Sequence, residues 1–254
     1  AVCITDDGGS SGKLLRDLGC IAVGDLRRAI LSSITPRGLL NRYSSLNLEQ
    51  LESVANALQY ILNYRFNRTP NRRFLKAPSA VLSQKLRRSI PDSLLEYLDK
   101  TGAAFLEDPL LKDIRLEEQC LGNLLLVSSI YSQRKGGKQK DAPRRFTPTH
   151  LQIMKGIQDF ACRIGAGPDT IFPAYTTQGE LQVLYQHGVL SSGEAKSARK
   201  HSSFPVDRVW VHFVRKPQVS SELLKKIEEA DLIICAPGSL YTSIIPIFQV
   251  PAIT

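Results

Sequence analysis

The stretch AVCITDDGGSSGKLLRDLG, residues 1–19, decides the reading of the fold. AVCIT is a short apolar run that reads as a buried strand, and the polar DDGGSSG that follows reads as a turn. A strand running into a Gly-rich turn and then an apolar-periodic segment is the start of a βα unit. In open α/β sheets such turns carry the ligand at the carboxyl ends of the strands. The loop is not a P-loop. Only three residues separate Gly8 from Gly12, and Lys13 is followed by Leu14 rather than Ser or Thr. Gly8, Gly9 and Gly12 would let the backbone approach a ligand, with successive amides forming an anion nest to which Ser10 and Ser11 add hydroxyls. Asp6 and Asp7 repel phosphate unless a cation intervenes. They therefore suit either Mg²⁺ bridging to a diphosphate or a clamp on sugar hydroxyls. Lys13, Arg16 and Arg27 lie near enough in sequence to offset the ligand's charge. The same composition also suits a plain exposed turn.

The far end of the chain repeats the pattern. LIICA (residues 232–236) reads as a buried strand and runs into Pro237, Gly238, Ser239, Leu240, Tyr241, Thr242 and Ser243. Helices alternating with buried apolar strands at both ends predict an α/β fold: a Rossmann-like parallel sheet with helices on both faces. Between the ends, residues 36–120 read as a helical insertion. NLEQLESVANALQYILNYRF is its strongest helix, with Asn47 as cap and Gln50 completing a capping box. LGNLLLVSSIY is apolar nearly all round and predicts a buried helix opening at Gly122 and Asn123. TPTHLQIMKGIQDFACRIG predicts a capped helix with Pro148 in its first turn. DTIFPAY, GELQVLYQHG and VDRVWVHFV read as strands, the middle one in a hairpin elaboration. SSELLKKIEEA predicts a serine-capped amphipathic helix.

At 254 residues the chain can bury one sizeable core, or a core with a smaller lobe. No apolar run approaches the roughly 18 residues of a membrane span. Cys3, Cys20, Cys120, Cys162 and Cys235 form no CxxC pair and sit among apolar neighbours, which predicts buried thiols in a reducing compartment. The four histidines show no metal-ligand spacing, and His212, between Val211 and Phe213, reads as a structural strand residue. Asp169 and Glu180 are candidate acids only where they face the crevice. The net charge of +9 gathers mainly in residues 67–76 and 132–146. Both read as solvated loops, 132–147 as a basic flexible one, and both lack the interleaved aromatics that stack on bases. Nucleic acid is therefore not the expected partner.

TDDGGSSGKLLRDLG with GDLRRAI, then LGNLLL, then ADLIICAPGSLYTSIIP occur in an order and spacing that resembles the gluconeogenesis factor (YvcK-like) branch of the 2-phospho-L-lactate transferase (CofD-like) family. GPDTIFPAYTTQGELQVLYQHGVLSSGEAKSARKH is similar to the hairpin region of that family. The resemblance implies one nucleotide-binding domain over residues 1–254, with a Gly-rich phosphate loop preceding Ala1 and a further strand following Thr254, so that the chain is truncated at both ends. It implies binding of a nucleotide diphosphate compound, such as the UDP-sugars bound in the gluconeogenesis factor branch, in regulating carbon metabolism. The alternative is Mg²⁺-dependent transfer of a phosphorylated group from a nucleotide diphosphate donor to an acceptor hydroxyl. Whether the chain is an enzyme is left open. By position, Asp6 and Asp7 face the ligand, as metal-holding and, in an enzyme, catalytic groups. Gly8, Gly9, Ser10, Ser11, Gly12 and Lys13 line it, together with Asp25 and Arg27 of the Gly-Asp-x-Arg motif, Asn123 of the Gly-Asn motif, and Gly238, Ser239, Tyr241 and Thr242. The family's His-Ser before Gly-Asn is Gln119-Cys120 here. A cytoplasmic location without membrane contact is expected, with an organelle lumen and a homodimer left open.

Overall fold

The computed structural model describes residues 1–3, 9–134, 146–167, 169–192, 204–235 and 239–254, with backbone alone at residues 3, 9–11 and 16. The chain divides into two compact units, one of residues 1–26 and 171–254 and one of residues 27–170.

In the first unit, β1 (Val2–Cys3) pairs in parallel with β2 (Phe172–Pro173), Val2 opposite Phe172. The helix α1 (Gly9–Leu18) follows β1. Gly9 to Gly12 are helical rather than part of a turn. Two glycines in the first turns cost helix propensity, but Leu14 and Leu15 bury almost completely and hold the segment in place. The Gly24–Ser32 helix, α2, opens with Asp25 in its first turn, where a carboxylate faces the positive end of the helix dipole. Downstream, β3 (Gly179–Tyr185), β4 (Leu190–Ser192) and β5 (Val206–Phe213) form an antiparallel sheet in the order β4-β3-β5. His212 stands opposite Glu180 in that ladder and is exposed. Ala174, Tyr175, Val211 of β5 and Val250 form a small core, with Tyr175 and Phe213 edge-to-face at 4.8 Å.

The described strands thus combine one short parallel pair with an antiparallel hairpin sheet, a mixed helix-and-sheet architecture. Leu232 to Cys235, read as a buried strand, are in no strand, and Leu232, Ile233 and Ile234 are 62–77% exposed. An apolar run marks a strand only where neighbours cover it, and none covers this one among the described residues. Cys235 is exposed with it, unlike the buried Cys20 and Cys120.

The second unit is helical. α3 (Pro36–Arg42), α4 (Leu48–Asn63), α5 (Arg73–Lys76), a 3₁₀ turn at Pro78–Val81, α6 (Gln84–Arg88) and α7 (Asp92–Glu107) lead to α8 (Leu121–Tyr131) and α9 (His150–Arg163). Asn47 and Gln50 close the capping box of α4 as the sequence requires, at 2.9 and 3.0 Å. Thr149 caps α9, which leaves Pro148 just outside its first turn. All of α8 is buried, with α4, α7 and α9 packed around it. A helix apolar on every side has no solvent face to offer, so it becomes the centre of a bundle. Gly156 lets α9 close on it, because a Cβ there would stand 2.5 Å from the Ile130 Cα.

The chain resumes after β5 with α10 (Ser221–Glu228), capped by Ser220, then a π-helical turn at Leu240–Ile244 and α11 (Ile245–Phe248).

Candidate functional site

Two residues from separate sequence motifs meet in the helical unit. Arg27, from α2, is 4% exposed, and Asn123, at the third position of α8, is 2% exposed. The Arg27 Nε donates to Asn123 Oδ1 at 2.9 Å across 96 positions of sequence. Its Nη1 donates to the Leu62 carbonyl at 3.2 Å and to Asn63 Oδ1. Leu62 and Asn63 end α4, so the guanidinium occupies the carbonyl-rich terminus where a cation is favoured by both dipole and unpaired acceptors. The Cys120 thiol donates to the same Leu62 carbonyl at 3.1 Å. Leu121 N–H donates to Tyr64 O at 2.8 Å and ties the start of α8 to the chain leaving α4.

Gly122 makes the arrangement fit. A Cβ there would lie 2.6 Å from Arg27 Cδ and 2.9 Å from Leu62 Cα, and closer still to Leu62 O. Arg27 therefore fastens three helices, α2, α4 and α8, by charge-assisted hydrogen bonds, and it fixes the amide of Asn123 in one orientation. Sequence reasoning singles out Arg27 and Asn123, but not Asn63, whose place at the end of α4 gives no sign of a partner on α2.

The remaining predicted residues lie in the first unit or beyond the description. Asp6, Asp7, Gly8 and Gly238 fall outside the described residues. Gly9, Ser10 and Ser11 open α1, Gly12 is buried within it, and Lys13 is exposed. Ser239 caps the π-helical turn, its Oγ accepting from Thr242 N–H at 3.2 Å. Tyr241 is exposed and Thr242 half-buried. In the helical unit, a shallow cavity of about 270 Å³ between α3 and α9 is lined by Arg37, Asn41, Arg42 and Cys162 among others. It holds none of the residues that the sequence assigns to ligand binding. Burial, then the carboxylates of Asp169 and Asp159, hold the Cys162 thiol above its ordinary pKa against the opposing charge of Arg42.

Comparison with known proteins matches residues 1–142 and 144–254 to the family described as "2-phospho-L-lactate transferase CofD". The chain belongs to the CofD family. Among curated relatives, the protein named "Putative gluconeogenesis factor" from Streptococcus pyogenes serotype M3 is 23% identical over 255 residues, covering 99% of this chain and 54% of the relative. Its namesake from Deinococcus radiodurans is 25% identical over 252 residues, covering 99% of this chain and 36% of that protein. This CofD-family chain thus spans about half the length, or less, of these two curated relatives. A crystal structure of a UPF0052-family protein from Bacillus halodurans aligns over 98% of this chain and 54% of that one, at a TM-score of 0.57 and 20% identity. That likeness speaks for the fold. No helix among the described residues is long and apolar enough to cross a membrane.

Proposed function

We propose that this chain binds a nucleotide diphosphate compound, a nucleotide sugar in the first instance, and acts as a gluconeogenesis factor-like regulator of carbon metabolism. The observation that carries the reading is local to the first unit. β1 pairs in parallel with β2, and α1 begins at Gly9, directly after the acid pair Asp6-Asp7 and Gly8. The leading amides of a helix, with two serines among them, suit a pyrophosphate. Membership of the CofD family and the name carried by the matched relatives support the gluconeogenesis factor-like part of the reading. Asp6 and Asp7 serve as hard oxygen donors, to sugar hydroxyls or to a Mg²⁺ that offsets the diphosphate charge. Arg27 and Asn123 keep the opening of α8 in a single arrangement.

A titration calorimetry series with UDP-N-acetylglucosamine tests this. Asp7→Ala should weaken binding at least tenfold, about 1.4 kcal/mol. Equal affinity in wild type and variant counts against the role of the acid pair, and absence of heat for any UDP-sugar removes the ligand class.

The family's own description favours a second reading, transfer of a phosphorylated group from a nucleotide diphosphate donor to an acceptor hydroxyl. Here the acid pair would hold Mg²⁺ and orient the attacking oxygen. Mass spectrometry of a mixture of donor, Mg²⁺ and deazaflavin acceptor separates the two, since a binding regulator leaves the acceptor unchanged.

A further inference from the structure

One of the two basic stretches of this protein lies in a folded segment. Residues 65–90 carry six arginines and two lysines and no aspartate or glutamate, against a net charge of +9 for the whole chain. The remaining residues nearly balance in sum, the basic excess of residues 132–146 being offset elsewhere in the chain. The sequence suggests a hydrated loop at residues 67–76 within a stretch of short helices; the structure leaves residues 67–72 without helix or strand, folds residues 73–76 into α5 and ties the segment to its neighbours. Phe66 N–H donates to Gln119 O at 3.0 Å, and Glu118 N–H donates back to Phe66 O at 3.1 Å. Ser83 caps α6, and Leu75, Pro78 and Ile90 anchor the segment in the helical core. Arg65, Arg68, Arg72, Arg73, Lys76, Lys85, Arg87 and Arg88 are all exposed. None of them forms an ion pair among the described residues; Asp99, on α7, feels the charge of Arg87 without pairing with it.

What the segment lacks identifies its partner. It presents no large exposed apolar side chain. A protein interface wants an apolar or aromatic core, and an interfacial membrane helix wants an apolar face. Single-stranded nucleic acid wants open aromatic faces. Here Tyr64 packs edge-on against Phe66 and Phe74, each at 5.4 Å, so these rings are occupied with one another. A duplex phosphate backbone needs none of these. It needs cations, with arginine forks gripping phosphate oxygens, and neutral donors such as the exposed Asn67, Thr69, Asn71 and Gln84 between them. We propose that residues 65–90 form a docking surface for the phosphate backbone of a double-stranded nucleic acid, bound without regard to base sequence.

Fluorescence anisotropy of the full chain with a labelled mixed-sequence duplex tests this. Binding should weaken about a hundredfold or more between about 50 and 200 mM salt, with log K linear in log salt. R72A/R73A/R87A/R88A should lower that slope by roughly three to four, one per lost phosphate contact, while UDP-sugar titrations stay unchanged. If this variant melts earlier than wild type, the R87A/R88A pair on α6 is read instead, with a slope change of about two. No binding at about 50 mM salt overturns the proposal. So does an unaltered slope in a folded variant, or tighter binding to phosphatidylserine vesicles or to a single strand than to the duplex.

Discussion

Replacing Gly122 by alanine is the sharpest test of the Arg27 cluster. The added methyl would meet the Leu62 backbone and the Arg27 Cδ, and backbone cannot rotate aside as a flexible side chain can. The start of α8 must then move off the end of α4. Overpacking of this kind costs about 1–3 kcal/mol. Drawing Asn123 away from the guanidinium sacrifices a charge-assisted hydrogen bond worth about 1.5–3 kcal/mol. Alanine returns about 1 kcal/mol of helix propensity over glycine. The net loss is about 3 kcal/mol, which for a chain of this size lowers the melting midpoint by roughly 6–12 °C. Near-ultraviolet circular dichroism on heating provides the assay. Gly188→Ala is the control: its φ of +83° strains any side chain, yet nothing lies within 4 Å of the new Cβ, so the cost there is about 1–2 kcal/mol. If the loss at Gly122 runs through Arg27, its cost in an Arg27→Met background should shrink, because residues in contact do not add. A Gly122→Ala protein as stable as wild type, or no worse than the control, refutes the account of how the three helices are held.

Burial pushes the Cys20 thiol up to about 12 from an ordinary 9.0, so the unfolded chain releases this proton first and stability falls by about 1.4 kcal/mol per pH unit as pH rises between those values. Urea midpoints at about pH 8 and pH 10 should diverge less in Cys20→Ala than in wild type, and an identical divergence disproves the burial. Half-buried Tyr97 shifts in the same direction, its phenol raised by burial and by the Asp159 carboxylate, so wild type keeps some alkaline sensitivity after Cys20 is gone. Ile233→Asp should change the unfolding free energy by no more than about 0.5 kcal/mol, as for other exposed positions, and should reduce binding of an apolar dye; a loss of about 2 kcal/mol or more would restore residues 232–235 to a buried strand.

Local rules made much of the helical unit legible. The Asn47 and Gln50 side chains reach only to their neighbours' amides, so the capping box could be read without knowing what α4 packs against. The burial of α8 was equally readable, since no polar side exists to face water. The meeting of Arg27 with Asn123 was not. Motif membership marked both residues, but nothing in two strings 96 positions apart says that one donates to the other, or that Asn63 shares the same guanidinium. The misreadings share that origin. Leu232 to Cys235 has strand composition, and composition does not supply the neighbour that would bury it. Gly9 to Gly12 has turn composition, and the leucines that draw it into α1 follow it in the chain. The same limit bears on residues 67–76. Counting charges finds the arginines and lysines, and absence of periodicity suggests a loop. Yet the pairing of Phe66 with Gln119, and the occupation of Tyr64 by Phe66 and Phe74, emerge only when distant segments meet. These contacts hold the cations on a fixed scaffold while withdrawing the aromatic rings, and a surface so made discriminates by charge and shape rather than by stacking.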